Sequence, residues 1–350
     1  MSLRCTDLAQ LIDHGFDDVI DVRSPAEWQE DRLPGAINLP VLDDDERARV
    51  GTIYKQVNPF SARKIGAALV ARNAARAIEG PLADRPGGWR PLVYCWRGGQ
   101  RSNSFAMILG QIGWRVEVLE GGYKTWRGLV IRALGKPPAA ARVIVLDGNT
   151  GSAKTELLGH LARLGVQTID LEGLANHRGS LFGARAGGQP AQRGFDSALA
   201  VALARLDPAR PLVVEAESSK IGDCRLPPGL WKAMCAAPRI EIAAPLAARA
   251  AYLARAYDDL CTDGARLARV IGQLRPLHPA ATISSWLARA ASGEHEALAA
   301  ELMDQHYDPR YLKHRERSRH PREVIETASL DDLPALAARI AERIGAAGQE

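Results

Sequence analysis

The sequence predicts two α/β domains in series, each built on a mainly parallel sheet, the second closing with a helical C-terminal part. Three observations predict this. Short apolar strand-like runs alternate with helical spacing through residues 1–135, the pattern of a parallel sheet with crossover helices. The stretch GKPPAAAR at 135–142 breaks that periodicity with prolines and small residues, as a linker does. A second alternation of strands and helices begins at RVIVLDG and turns wholly helical from about residue 245. The boundaries expected are a first domain at 1–135, a linker at 136–141, a second α/β domain at 142–244, and a mainly helical region at 245–350 packing on it.

The elements follow in order. DDVIDVR and GAINLP read as short strands bounded by turn residues, and PLVYC as a buried strand. RSNSFAMILGQIGW has helical apolar spacing, RVEVLEGG is a further strand, and YKTWRGLVIRALG is a closing helix with Gly135 past its end. In the second domain RVIVLDG, QTIDLEG, RPLVVEAES and PRIEIAA are strands, and AKTELLGHLARLG is a helix. PLAARAAYLARAYDDL, GARLARVIGQL and ATISSWLARAAS are helical, and a strand REVIETAS and a helix LPALAARIAERIG end the chain.

Composition narrows the function classes. Hydrophobic residues at 46% and charged residues at 25% are those of a globular protein, and a net charge of +4 over 350 residues leaves any nucleic-acid argument to local clusters. The five cysteines are scattered without a C-x-x-C pair, which argues against a disulfide framework or a zinc site and for a reducing compartment. No apolar run approaches the ~18 residues that span a membrane, and MSLRCTDLAQLIDHGFDD lacks the order of a signal peptide. A cytoplasmic protein without membrane partners is expected.

The first candidate site is VYCWRGGQRS, where an apolar strand ends at Cys95 ahead of Trp96, Arg97, Gly98, Gly99, Gln100 and Arg101. A glycine-rich turn from strand to helix points successive N–H groups inward with the positive helix end behind them. Such a nest stabilises a thiolate, a persulfide or a bound oxyanion, and neighbouring arginines lower the thiol pKa in the same direction. Cys95 by itself also reads as a small buried residue at a strand end. The C-x5-R spacing with two glycines favours the reactive reading, because glycine is costly unless the loop needs it.

DVRSPAEWQEDRLPGAINLP at 21–40, the cysteine loop, and LEGGYKTWRG at 119–128 together resemble a rhodanese (sulfurtransferase) domain over residues ~1–135. Asp31 and Arg32 stand where rhodaneses often carry Gly-His, and the loop is one residue longer than the usual sulfurtransferase form. The longer C-x5-R loop resembles those of phosphatases in the same superfamily. This implies room for a tetrahedral, phosphate-like group.

The second candidate site is GNTGSAKT, which follows RVIVLD and opens a helix, the context of a phosphate-binding P-loop. Gly148, Gly151, Lys154 and Thr155 match the P-loop spacing, with Asn149, Thr150 and Ser152 between them, while Ala153 replaces the glycine before lysine. Backbone amides from 149 to 155 can wrap a diphosphate, with Lys154 as point charge and Thr155 as a candidate magnesium ligand. The alanine is expected to be tolerated because alanine adopts helical angles freely at a helix start. The strand PLVVEAES supplies Glu215 and Glu217 at the acidic position of such folds. LEGLANHRGSLFG holds Asn176, His177 and Arg178 as anion- or base-contacting candidates, and His177 has no metal-ligand spacing, so no metal site is expected.

A basic segment, RYLKHRERSRHPR at 310–322, carries Arg310, Lys313, Arg315, Arg317, Arg319 and Arg322 against Glu316, with Tyr311, His314 and His320 interleaved. That mixture suits RNA, although a solvated helix face reads the same way. SARKIGAALVARNAARAI at 61–78 adds a second, weaker basic face.

The succession of YCWRGGQRS, NPFSARKIGAALVARN, EGGYKTWRG, GNTGSAKTELL, DLEGLANHRGS, VVEAES and YDPRY resembles the tRNA 2-selenouridine synthase family, in that family's order and over essentially the whole chain. The resemblance implies a transferase of tRNA modification. It would replace the sulfur of 2-thiouridine at the wobble position with selenium from selenophosphate, through an S-geranylated uridine made from geranyl diphosphate. It also implies no tightly bound cofactor. Two other classes stay open on the residues alone: a rhodanese-type sulfurtransferase coupled to a nucleotide-dependent kinase, and a phosphatase or anion-binding scaffold using the C-x5-R loop.

Overall fold

The computed structural model describes residues 2–135, 143–311 and 322–347, with side chains up to residue 345. The linker expected at 136–141 lies outside the described residues. The chain forms two compact units, one of Met1–Lys136 with Pro190–Arg205 and one of Pro137–Gln189 with Leu206–Glu350.

In the first unit β1 (Ser2–Leu3), β2 (Asp18–Asp21), β3 (Ile37–Asn38), β4 (Pro91–Tyr94) and β5 (Glu117–Leu119) form a parallel sheet in the order β1-β5-β4-β2-β3. Successive side chains alternate between its faces. Ile20 and Val93 pack with Val70, Phe105 and Leu109 from the helices Pro59–Glu79 and Gln100–Ile112. Val19, Leu92 and Tyr94 pack on the other face with Leu11, Trp126 and Ala200.

Ala200 comes from the helix Gln192–Ala204, expected within the second domain and found in the first unit. The reason is the buried Asp31. Its Oδ2 accepts hydrogen bonds from Tyr123 Oη at 2.9 Å and Ser197 Oγ at 2.9 Å, and Trp126 Nε1 donates to Ser197 Oγ at 3.1 Å. Burial raises the Asp31 pKa while these donors counter the rise. A buried carboxyl is tolerated only when its oxygens are satisfied, so the residue in the place of the rhodanese Gly-His is held by a helix from later in the chain.

In the second unit β6 (Val143–Gly148), β7 (Gln167–Ile169), β8 (Leu212–Glu215), β11 (Arg239–Ala243) and β12 (Arg322–Glu326) form a parallel sheet in the order β12-β11-β6-β8-β7. A short antiparallel ribbon, β9 (Lys220–Ile221) and β10 (Cys224–Arg225), leaves that sheet. Leu157 and Leu161 of the helix Lys154–Arg163 and Ile340 and Ile344 of the helix Leu333–Ala347 cover one face against Ile144, Leu146, Val213 and Ile242. The C-terminal strand and helix therefore complete the second sheet. A separate cluster around Leu267, Ile271, Trp286 and Leu298 is the helical part.

Candidate functional site

The middle strand of each sheet ends in a loop that opens a helix. β4 runs straight into Cys95, which is 3% exposed. Its Sγ accepts hydrogen bonds from Gly99 N at 3.3 Å and Ser102 Oγ at 3.2 Å. Burial pushes the Cys95 thiol up. The Ser102 hydroxyl, the backbone N–H groups of Ser102 and Arg97, and the Arg101 charge outweigh it, leaving the pKa below that of an ordinary thiol. Arg101 Nη1 is held 2.9 Å from Glu27 Oε2, itself buried and kept ionised by Arg101 and Arg47 against the effect of burial. Arg97 and Gln100 are exposed, and Trp96 stacks 5.1 Å from Tyr123.

The loop is shaped from behind by LEGG. Gly98 has φ +63°, and a Cβ there would lie 2.6 Å from Leu119 O and 2.9 Å from Gly121 N. Tyr123 N donates to Cys95 O at 2.8 Å and Lys124 N to Trp96 O at 3.1 Å. The glycine pair 121–122 therefore lets a second backbone press against the cysteine loop and fix its turn. Ser102 and Glu27, which hold Cys95 and Arg101, are residues that sequence reasoning missed. Glu27 is masked by its other task, in which Oε2 accepts from Ser24 N at 3.2 Å as the partner in a helix-opening S-x-x-E.

In the phosphate loop Lys154 Nζ donates to Gly148 O at 2.9 Å, and Thr155 Oγ1 donates to Glu172 Oε2 at 2.9 Å. Burial lowers the Lys154 pKa, but Tyr311, Glu172, Asp147 and Glu217 together raise it above the ordinary value, so the ammonium is kept. Ala153 does not take helical angles. Its φ of +58° and ψ of 25° are left-handed, the conformation for which glycine is the usual residue. The expectation of strain-free tolerance is corrected: the alanine carries strain that its methyl offsets by packing into the apolar cluster with Leu157 and Ile242.

Carboxyls crowd the same loop. Glu215 ends β8 opposite Leu146 of β6 and accepts from Glu172 N at 2.7 Å. Burial, Glu172 and Asp170 hold its carboxyl well above the usual range. Glu217 is pushed up to about 8 by burial and by its hydrogen-bonded neighbour Glu172. At neutral pH protons thus relieve a repulsion that three carboxylates would otherwise impose. Glu172 and Glu217 line a cleft of about 780 Å³ with Thr150, Gly151, Ser152, Arg178, Arg239, Tyr257 and Arg310, while Glu215 itself is buried. Among the described residues no group of three His, Cys, Asp or Glu is arranged to hold a metal ion.

The remaining predicted residues divide. Asn176, with φ +45°, latches its own loop through Nδ2 to Ala186 O at 2.9 Å and Gly188 O at 2.8 Å. His177 Nδ1 is buried without a partner, and burial lowers its pKa. Arg178 pairs with Asp259 at 2.8 Å and stacks over Tyr257. Arg310 lines the phosphate cleft, its Nη1 3.1 Å from His306 Nε2. Arg322 pairs with Glu241 at 3.0 Å. Lys313, Arg315, Arg317 and Arg319 lie outside the described residues.

Known proteins match both units. The family profile of the tRNA 2-selenouridine synthase AAA domain matches residues 141–268, and that of the rhodanese-like domain matches residues 5–129. A tRNA 2-selenouridine synthase of Aeromonas salmonicida is 37% identical over 88% of this chain and 89% of its own. Those of Hahella chejuensis and Bordetella bronchiseptica are each 35% identical, over 84% and 85% of this chain and 84% and 88% of theirs. With the thiol loop and the phosphate loop each inside a matched segment, the chain belongs to the tRNA 2-selenouridine synthase family.

Proposed function

We propose that the chain converts 2-thiouridine at the wobble position of tRNA to 2-selenouridine, taking selenium from selenophosphate through an S-geranyl intermediate made from geranyl diphosphate. Family membership supports selenation of a tRNA uridine. One observation carries the alkyl diphosphate: the phosphate cleft shares Thr150, Leu253, Tyr257 and Tyr307 with an apolar cavity walled by Phe182, Leu260, Leu267, Leu298 and Leu302. A polar loop for phosphates beside an apolar cavity of about 70 Å³, room for part of a prenyl chain, suits a prenyl diphosphate, whereas a nucleotide base needs polar partners at its edges.

On this reading the amides of residues 149–155 and the Lys154 ammonium hold the diphosphate. The thiocarbonyl sulfur attacks the first carbon of the geranyl chain, the carbon–oxygen bond breaks, and the diphosphate leaves with the electron pair under the Lys154 charge. Thr155 and Glu172 offer oxygen ligands to a magnesium ion arriving with the diphosphate. Alkylation turns the sulfur into a leaving group. Selenium then adds at the base carbon, the geranyl thiol departs, and water cleaves the selenium–phosphorus bond to release phosphate. Cys95 is the selenium-handling centre, with Arg97, Arg101 and the loop amides on the oxyanion.

The test is mass spectrometry of wobble nucleosides after 2-thiouridine tRNA is incubated with geranyl diphosphate and then selenophosphate. Geranylated and then selenated uridine is expected. Selenation without geranyl diphosphate, or nucleotide hydrolysis coupled to it, overturns the sequence of steps.

A further inference from the structure

The helical hairpin of the first unit, residues 44–79, opens with Asp44, Asp45 and Glu46 and ends at Glu79, and its turn end between them is basic. Between residues 49 and 78 the chain carries Arg49, Lys55, Arg63, Lys64, Arg72 and Arg76 and no acidic residue. The helix Asp44–Gln56 buries none of its side chains, and it packs on the helix Pro59–Glu79, where Val50 lies against Gly66. A helix that buries so little contributes little to the core. At the turn, Tyr54, Val57 and Phe60 are 53%, 68% and 74% exposed. Lys55, Arg63 and Lys64 are exposed around them. The turn itself is firmly made, with Asn58 Oδ1 accepting from Ser61 N at 2.7 Å and Pro59 opening the second helix.

Exposed aromatics amid a local excess of positive charge form the surface on which unpaired bases stack and phosphates pair. The base of the hairpin also adjoins the thiol loop. Arg47 Nε lies 3.1 Å from Glu27 Oε2, the same carboxylate oxygen that holds Arg101 next to Cys95. An RNA lying along the hairpin is thereby led toward Cys95.

We propose that this hairpin is an RNA-docking arm. Lys55, Arg63 and Lys64 pair with the phosphates of a single-stranded loop, and Tyr54 and Phe60 stack on its bases. The proposal rests on the reading of tRNA as substrate. Its charge pattern favours a polyanion over an apolar protein partner.

Filter binding of unmodified tRNA to the full chain at several salt concentrations tests it, with circular dichroism melting as the check on folding. The double variant R63E/K64E is expected to weaken binding by at least ~10-fold and to lower the slope of log affinity against log salt by about 2, one for each phosphate left unpaired. F60A is expected to weaken binding ~5- to 10-fold with the slope unchanged, because stacking is not screened by salt. Equal affinity of wild type and both folded variants overturns the docking arm alone, and is also the result for a hairpin that binds protein. A wild-type chain that does not retain tRNA overturns the arm together with the proposed substrate.

Discussion

Cys95 and Lys154 each follow the middle strand of a parallel sheet, β4 and β6, and each stands at the opening of a helix. The first loop buries a thiol drawn toward its anion; the second holds a half-buried cation. Around Cys95 the donors are amides, a hydroxyl and an arginine, and they draw the thiol toward its charged form. Around Lys154 the neighbours are carboxyls, and burial keeps Glu215 and Glu217 from ionising freely. The same backbone device thus surrounds a thiol in one unit and an ammonium in the other. What differs is the sign of the side chains packed against the loop.

Crossing the two loops gives the largest expected effect. Lys154→Ala is expected to cut geranylation by ~100-fold or more, the size of losing one donor to a developing charge, with selenation of pre-geranylated tRNA preserved. Cys95→Ser is expected to do the reverse. Nucleoside mass spectrometry reads both, and either variant abolishing both steps would show that one loop serves the whole reaction.

The next contrast concerns backbone. Gly98→Ala is expected to cost ~3 kcal/mol in denaturant unfolding, because its Cβ would collide with Leu119 O and Gly121 N. An unchanged midpoint would mean that the LEGG segment does not brace the thiol loop.

Ser102→Ala is a milder probe of the same loop. Burial raises the Cys95 pKa and the Ser102 hydrogen bonds lower it, so losing the hydroxyl moves the pKa up. The thiolate is the form present above that pKa, so the acid limb of selenation shifts to higher pH and the rate recovers in base. A limb that stays in place would assign the titration to another group.

Ala153→Gly should have the smallest effect. Relief of the left-handed strain, ~1 kcal/mol, is nearly offset by the lost burial of the methyl and the greater freedom of unfolded glycine. A change of stability below ~1 kcal/mol is expected in thermal unfolding. A larger gain would show that the packing against Leu157 and Ile242 is worth little.

Much of this is legible in the sequence, and the illegible part has definite causes. VYCWRGGQRS and GNTGSAKT declare themselves because strand, glycines and helix are contiguous and each residue's task is local. Ser102 reads as an ordinary helix-opening serine, seven residues past the thiol it serves. Glu27 is hidden behind its capping role. The alanine at 153 misleads because its left-handed angles follow from closing the loop around Lys154, which propensity at a helix start does not describe. The helix Gln192–Ala204 reads as part of the segment around it in sequence, whereas its partner is the buried Asp31.

The sequence by itself determined two parallel α/β units and the two loops, because periodicity and contiguous motifs are properties of short segments. Only the tertiary structure decided which residues tune those loops. Ser102 lowers the Cys95 pKa, Glu172 links Thr155 to Glu215, and β12 with the last helix closes a sheet begun about 180 residues earlier. The physical reason is range. Burial and proximity between distant segments set the charge state of a side chain, and neither is written in its immediate neighbours.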